Sequence, residues 1–247
     1  MKVLLNPKYT ILESFINSIP QIFQDEGKEI YGGRNLIKVF SYNGLEINVK
    51  RYAIPNVFNR FIYSFIRKPK GLRAYTYPKT LLDKGFETPE PIAYIENRKA
   101  GLIEYSYFIS IQSPYKFRFY QFGDANAEEY KDIIVAFAHY TARLHEAGIL
   151  HKDYSPGNIL FDKIDGEYRF SLVDINRMRF GKVDLETGCA NFARLWGQIP
   201  FFEILASEYA KARNADEAYC RKQIMYYRKR FWKRYAKRHQ VGFKLEL

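Results

Sequence analysis

One stretch constrains this chain more than any other: His151-Lys152-Asp153-Tyr154-Ser155-Pro156-Gly157-Asn158-Ile159-Leu160-Phe161. It sets an acid and a carboxamide five residues apart, after a helix-like segment and before an apolar, strand-like one. Sixteen residues past Asn158, the run Leu172-Val173-Asp174-Ile175-Asn176 supplies a second carboxylate at the end of another apolar stretch. A polar loop framed by apolar strands implies a scaffold built to hold those side chains. A chance Asp and Asn in a loop would not arrive with that spacing and framing together.

With 247 residues the chain suits one compact domain or two lobes. It has no stretch of about 18 apolar residues that could span a membrane. The opening Met1-Lys2-Val3-Leu4-Leu5-Asn6-Pro7 has too short an apolar run for a secretory signal, so a cytoplasmic location is expected. Cys189 and Cys220 fit no metal-ligand spacing and are expected as reduced thiols. Charge is unevenly spread. From Arg221 onward, ten Lys or Arg face one acid, Glu246, for a net +9 of the chain's +12, leaving +3 for residues 1–220.

Along the chain, Lys28–Tyr31, Leu36–Phe40 and Leu45–Tyr52 read as three strands joined by turns at Gly32-Gly33-Arg34-Asn35 and Ser41-Tyr42-Asn43-Gly44. Phe58 to Gly85 reads as a helical region interrupted at Pro69 and Pro78 and stopped by Gly85. A loop from Thr88 leads into one strand, and Ala100–Ile109 forms another. Asp124 to Gly148 carries the clearest helical period, through Ile133, Ile134, Phe137, Tyr140, Thr141 and Leu144. His139 and His145 on that helix read as packing or surface residues rather than ligands.

These features resemble the protein-kinase-like fold, whose catalytic loop is H-R-D-x-x-x-x-N and whose metal-binding Asp opens D-F-G. The resemblance implies an α+β, two-lobed architecture with an antiparallel-sheet N-lobe over residues 1–105 and a mainly helical C-lobe over 106–247. It implies ATP and Mg²⁺ as cofactors. Asp153 would accept the acceptor hydroxyl's proton, and Lys152 would set a cation near the developing charge. Asn158 and Asp174 would coordinate Mg²⁺, Lys50 would hold the α and β phosphates, and backbone within Glu104–Ser110 would meet the adenine. His151 is expected to pack the loop against the second Asp. Gly32 and Gly33 would cover the phosphates, or else supply positive φ in a plain hairpin turn.

The chain departs from the pattern in three places. It lacks G-x-G-x-x-G, Ile175-Asn176 replaces the Phe-Gly after Asp174, and no acid precedes Asp83 in the helix that usually pairs a Glu with the strand lysine. Thr76 or a neighbouring Tyr falls where that Glu would be; Asp83 or Glu87 substitutes for it, or the pair is absent.

The loop, the Asp174-Ile175-Asn176-Arg177-Met178-Arg179 run and Cys189-Ala190-Asn191-Phe192-Ala193-Arg194-Leu195-Trp196 together resemble the bacterial lipopolysaccharide core kinases acting on Kdo or heptose. That resemblance spans Glu26 to Trp196 and implies a lipid A–core glycolipid as acceptor. Arg177 and Arg179 would then bind acidic groups of the substrate, or pair with acids of the C-lobe.

In the tail, Ile224, Tyr227, Phe231 and Tyr235 line one helical face among nine basic residues. Such a helix suits the anionic surface of the inner membrane, giving a peripheral protein; it also suits docking on the C-lobe through its aromatics. Nucleic acid is not expected as a partner, because the remainder of the chain is near neutral. Rival readings are a soluble kinase for proteins or small molecules, disfavoured for proteins by the missing A-P-E, and a nucleotide-binding pseudokinase.

Overall fold

The computed structural model describes residues 1–247 and divides them into two units, residues 1–83 with 88–114 and residues 84–87 with 115–247. In the first unit, β1 (Lys2–Leu5) is followed by α1 (Glu13–Ile22) and three hairpin-linked strands, β2 (Lys28–Gly32), β3 (Leu36–Tyr42) and β4 (Leu45–Tyr52). Next come α2 (Val57–Phe61) with a π-turn at Ile62–Ile66, α3 (Lys70–Asp83), β5 (Pro91–Lys99) and β6 (Leu102–Ile111). The six strands form one antiparallel sheet in the order β1-β5-β6-β4-β3-β2.

Period-two alternation sets the two faces of this sheet. Ile47 and Val49 of β4 enter a core with Phe40, Ile92, Ile95, Tyr107 and Ile109, closed by Phe15, Ile16 and Ile19 of α1. Lys50 therefore lies on the opposite face. There α3 approaches β5 so closely that a Cβ on Gly71 would sit 2.7 Å from the Tyr94 ring.

The second unit contains β7 (Phe117–Arg118), α4 (Lys131–Glu146), β8 (Ile149–His151), β9 (Ile159–Ile164), β10 (Glu167–Leu172) and β11 (Met178–Phe180). It ends with α5 (Leu185–Asn191), α6 (Ile199–Ala212) and α7 (Glu217–Tyr235). The strands make two small sheets, β10-β9-β7 and β11-β8. The core is an aromatic cluster in which Phe137 of α4 packs against Phe119, Tyr154, Phe170 and Phe192. No helix of the protein is long and apolar enough to cross a membrane.

Several expected element bounds move. The helix expected over 124–148 begins only at Lys131. Upstream, Asn126 Oδ1 accepts from Glu128 N, and Asp124 Oδ1 accepts from Lys244 N at 2.7 Å. Polar side chains that bond nearby backbone compete with helix in this way. The region from Phe58 breaks ahead of Pro69 as expected, but Pro78 sits inside α3 without ending it, and Gly85 (φ +76°) follows the stop. α1 and α6 have no counterpart in the sequence reading, and the tail helix starts at Glu217, capped by Asp216.

Candidate active site

In the second unit, burial along the loop alternates between anchors and presented groups. His151, Tyr154 and Pro156 are buried, whereas Lys152 is exposed and Asp153, Ser155, Gly157 and Asn158 are partly so. The Tyr154 hydroxyl bonds Thr141 of α4 at 2.8 Å, and its ring stacks on Phe137. His151 ties three segments together. Its Nδ1 accepts from Asp153 N at 3.1 Å, so Nε2 carries the proton and donates to Val173 O at 3.0 Å. Its own carbonyl accepts from Asn191 Nδ2. Full burial holds the imidazole pKa below its ordinary value, so it stays neutral and acts as a strut rather than as a base.

Asn158 is fixed from both ends. Its Nδ2 donates to Asp153 O at 2.8 Å and to Ser155 Oγ at 3.3 Å, and its carbonyl accepts from Val173 N at 3.0 Å. That last bond joins the loop directly to the residue before Asp174. Asp174 adopts a left-handed backbone (φ 54°, ψ 39°), which Asp tolerates better than most residues, and its Oδ1 accepts from buried Asn176. Positive φ at a non-glycine residue is a form of strain that clusters at functional sites.

The Asp153 carboxylate lies between two guanidiniums, with Arg194 Nη1 2.6 Å from Oδ1 and Arg177 Nη1 3.6 Å from Oδ2. Arg194 in turn stands 5.5 Å from the centre of the Phe231 ring on α7. Of the two uses expected for Arg177, pairing with an acid of this unit is the one observed, and that acid is Asp153 itself. Arg179 is exposed, its Nη2 3.5 Å from Lys182 O. Beneath the loop, Arg213 donates to the Tyr209 hydroxyl, which bonds His145 Nδ1, while His145 Nε2 donates to Asn191 Oδ1. His145 is thus a packing residue, as expected, but one linked through Asn191 to the loop.

Lys152, Asp153, Asn158 and Asp174 are brought together in this unit. Lys50, Gly32 and Gly33 belong to the sheet unit. Lys50 sits on β4 opposite Ile37 and Phe108, its Nζ 5.4 Å from the Tyr52 ring. Gly32 ends the edge strand β2 and Gly33 N donates to Asn35 O at 3.2 Å, but neither glycine has positive φ, so that reason for the pair falls away.

The acids considered as partners of Lys50 are committed elsewhere, Asp83 to Lys79, and Glu87 to Arg169 and Tyr115. Of the backbone over 104–110 that was expected to meet the adenine, residues 106–110 are paired with β4 on one side and β5 on the other.

No group of three or more His, Cys, Asp or Glu side chains is arranged to hold a metal. Oxygens beside the loop of the kind that hold a hard cation are Asn158 Oδ1, whose amide nitrogen bonds Asp153 O and Ser155 Oγ, and the Asp174 carboxylate, whose Oδ1 accepts from Asn176. Sequence reading did not single out Arg194, Asn191 or Asn176. Arg194 and Asn191 do fall within the Cys189–Trp196 run that carried the family resemblance.

No curated protein matches the chain. Among solved structures, "WaaP in complex with acyl carrier protein" superposes with a TM-score of 0.63 at 15% identity, over 94% of this chain and 100% of that one. Likeness at that identity speaks to the fold. The profile of the lipopolysaccharide kinase (Kdo/WaaP) family matches residues 56–197, more than half of the sequence and all of the loop just described. The chain belongs to the lipopolysaccharide kinase (Kdo/WaaP) family.

Proposed function

We propose that this protein is a two-lobed, ATP- and Mg²⁺-dependent phosphotransferase that phosphorylates a Kdo or heptose hydroxyl of the lipopolysaccharide core at the cytoplasmic surface of the inner membrane. The observation that carries the reading is the bonded set Asp153–Asn158–Val173–Asp174, locked by neutral His151. Its donor chemistry fits the cofactor. Mg²⁺ takes hard oxygen ligands, is content with one or two from the protein, and completes its shell with phosphates and water. Asn158 Oδ1 and Asp174 would hold it. Mg²⁺-ATP, when bound, supplies the phosphoryl group and the cation that offsets its charge.

The remaining work falls to the chain's own groups. Asp153 orients the acceptor hydroxyl and takes its proton at a carboxylate oxygen, positioning being the larger effect. Arg194 and Arg177 hold that carboxylate in one orientation. Lys152, exposed beside it, offsets negative charge on the acceptor, and Lys50 holds nucleotide phosphates, with Gly32-Gly33 covering them.

The membrane part of the reading rests on the tail, although its aromatic face is docked. Ile224 and Trp232 are buried, and the Tyr227 hydroxyl donates to Glu186 at 2.5 Å. Outside, beside exposed Tyr219 and Tyr226, lies a block of charge, with Arg221, Lys222, Lys229, Arg230, Lys233, Arg234, Lys237 and Arg238 all exposed. Each contributes about 1 kcal/mol near an anionic leaflet.

The test is phosphate transfer from ATP to extracted lipid A–core, comparing wild type with Asp153→Ala. Labelled glycolipid from wild type alone supports the enzyme and its substrate class. Nucleotide binding without transfer to any core sugar would favour a pseudokinase, and loss of nucleotide binding in wild type would end the kinase reading.

A further inference from the structure

Helices on a protein surface normally turn their polar side to water and their apolar side to the core. The segment Val57–Ile66 does the opposite. Its polar residues face the protein: Arg60 Nε donates to Ile103 O at 2.9 Å, Ser64 Oγ accepts from Ile103 N at 2.9 Å, and Arg98 Nη1 lies 3.5 Å from Ser64 O. Arg60 also reaches Glu104 at 3.8 Å. On the outside, Val57, Phe58, Phe65 and Ile66 are 62–78% exposed and Phe61 is 53% exposed, while no residue of the segment is buried. The Phe61 and Phe65 rings lie with centroids 5.1 Å apart, and Val57, Phe58, Phe61 and Phe65 recur at the three- and four-residue spacings that share one helical side.

Charge completes the pattern. From Ile54 to Lys70 there is no acid, and Arg67 and Lys68, both exposed, follow directly on the apolar face. An outward apolar face that runs into exposed cations, on a segment with no acid of its own, matches an anionic bilayer interface, where rings enter the acyl boundary and ammonium and guanidinium groups meet headgroup phosphates. A contiguous exposed patch of this kind marks an interaction site. The tail helix presents less of this kind, because Ile224 and Trp232 are buried and Tyr227, Phe231 and Tyr235 partly so, leaving Tyr219 and Tyr226 as its exposed aromatics.

We propose that Val57–Lys68 is a membrane-insertion element that seats the sheet unit on an anionic bilayer, with Phe58, Phe61, Phe65 and Ile66 entering the interface. The inference shares only the membrane with the function proposed above and does not depend on the reaction.

The experiment is flotation with vesicles of phosphatidylethanolamine and phosphatidylglycerol, using wild type, Phe61→Ser/Phe65→Ser, and a tail variant with Lys233, Arg234, Lys237 and Arg238 changed to Gln. Alongside it, Phe65→Trp is titrated with vesicles carrying brominated acyl chains. Expected are at least tenfold weaker partitioning for the double-serine variant, and bromine quenching of Phe65→Trp well beyond that of wild type. Partition of the tail variant reports on the tail alone, and transfer to a detergent-dispersed acceptor by the double-serine variant reports on the reaction alone.

Unchanged partitioning of the double-serine variant, with no added quenching in Phe65→Trp, overturns the proposal. So does a concentration-dependent dimer that the serine substitutions dissolve while vesicle binding persists, which would assign the face to a second copy. A Phe65→Trp emission shift produced by purified acyl carrier protein, with none produced by vesicles, would assign it to a protein instead.

Discussion

Asp153 is the residue on which the proposed site turns, and Arg194 Nη1 lies 2.6 Å from its carboxylate. If that guanidinium positions the carboxylate, Arg194→Ala should lower kcat by roughly 10–100-fold, the scale of cost that follows from misplacing a catalytic group by an ångström. KM for the nucleotide should stay near wild type, and Arg194→Lys should recover only part of the loss, since an ammonium cannot reproduce the planar fork. Steady-state kinetics decides this; an equal rise in KM would instead make Arg194 a nucleotide contact.

A second residue gives the protein an acid limit. Burial pushes the His145 pKa down to about 4, because its charged form would lose solvent. The unfolded chain then binds a proton that the folded one refuses, so between about pH 6.5 and 4 stability falls as pH falls, by about 3 kcal/mol in all. Melting temperature measured across that window should drop more for wild type than for His145→Gln, and equal slopes would place the loss elsewhere.

Elements differ in how readily they can be read. β2, β3, β4 and the middle of α4 follow local patterns, alternation in the first three and a 3.6-residue period in the last, so a short window suffices to find them. The loop residues Asp153, Asn158 and Asp174 are legible for a related reason, since their types and spacing are local. β1 is not, because it exists by pairing with β5 about ninety residues away, Lys2 opposite Glu96. Arg194 and Asn191 are likewise chosen by partners about forty residues distant, which no periodicity reports.

α5 shows how tightly such distant choices are packed. A Cβ on Gly188 would fall 2.1 Å from the Tyr209 hydroxyl and 3.0 Å from His145 Nδ1. Gly188→Ala should therefore push apart the pair that supports Asn191, costing roughly 1–3 kcal/mol as an overpacked core does. Urea denaturation would show it, and a neutral result would mean that α5 can shift without cost.

Read as composition, the C-terminal region is a block of positive charge, yet part of it is interior. Arg228 is 1% exposed, its guanidinium carbon 4.6 Å from the Phe202 ring centre, donating to Gly197 O at 2.8 Å and to Glu246 O. The last residues are thereby drawn back over the unit. Phe243 stacks on Trp196 and meets Trp232 edge-on, and Gln198 Nε2 donates to Lys244 O. Deleting residues 241–247 would strip Arg228 of one of its two acceptors as well as uncovering both tryptophans. A buried cation left short of partners costs about 3–5 kcal/mol, whereas replacing it with an apolar side chain of similar volume is often neutral. The truncation should thus lower unfolding free energy by several kcal/mol, Arg228→Met in the full chain should change it little, and Arg228→Met in the truncated chain should recover part of the loss. A urea-denaturation cycle over the four proteins measures that coupling directly. If the two changes are additive, the strap acts through Phe243 packing alone, and the buried guanidinium is indifferent to it.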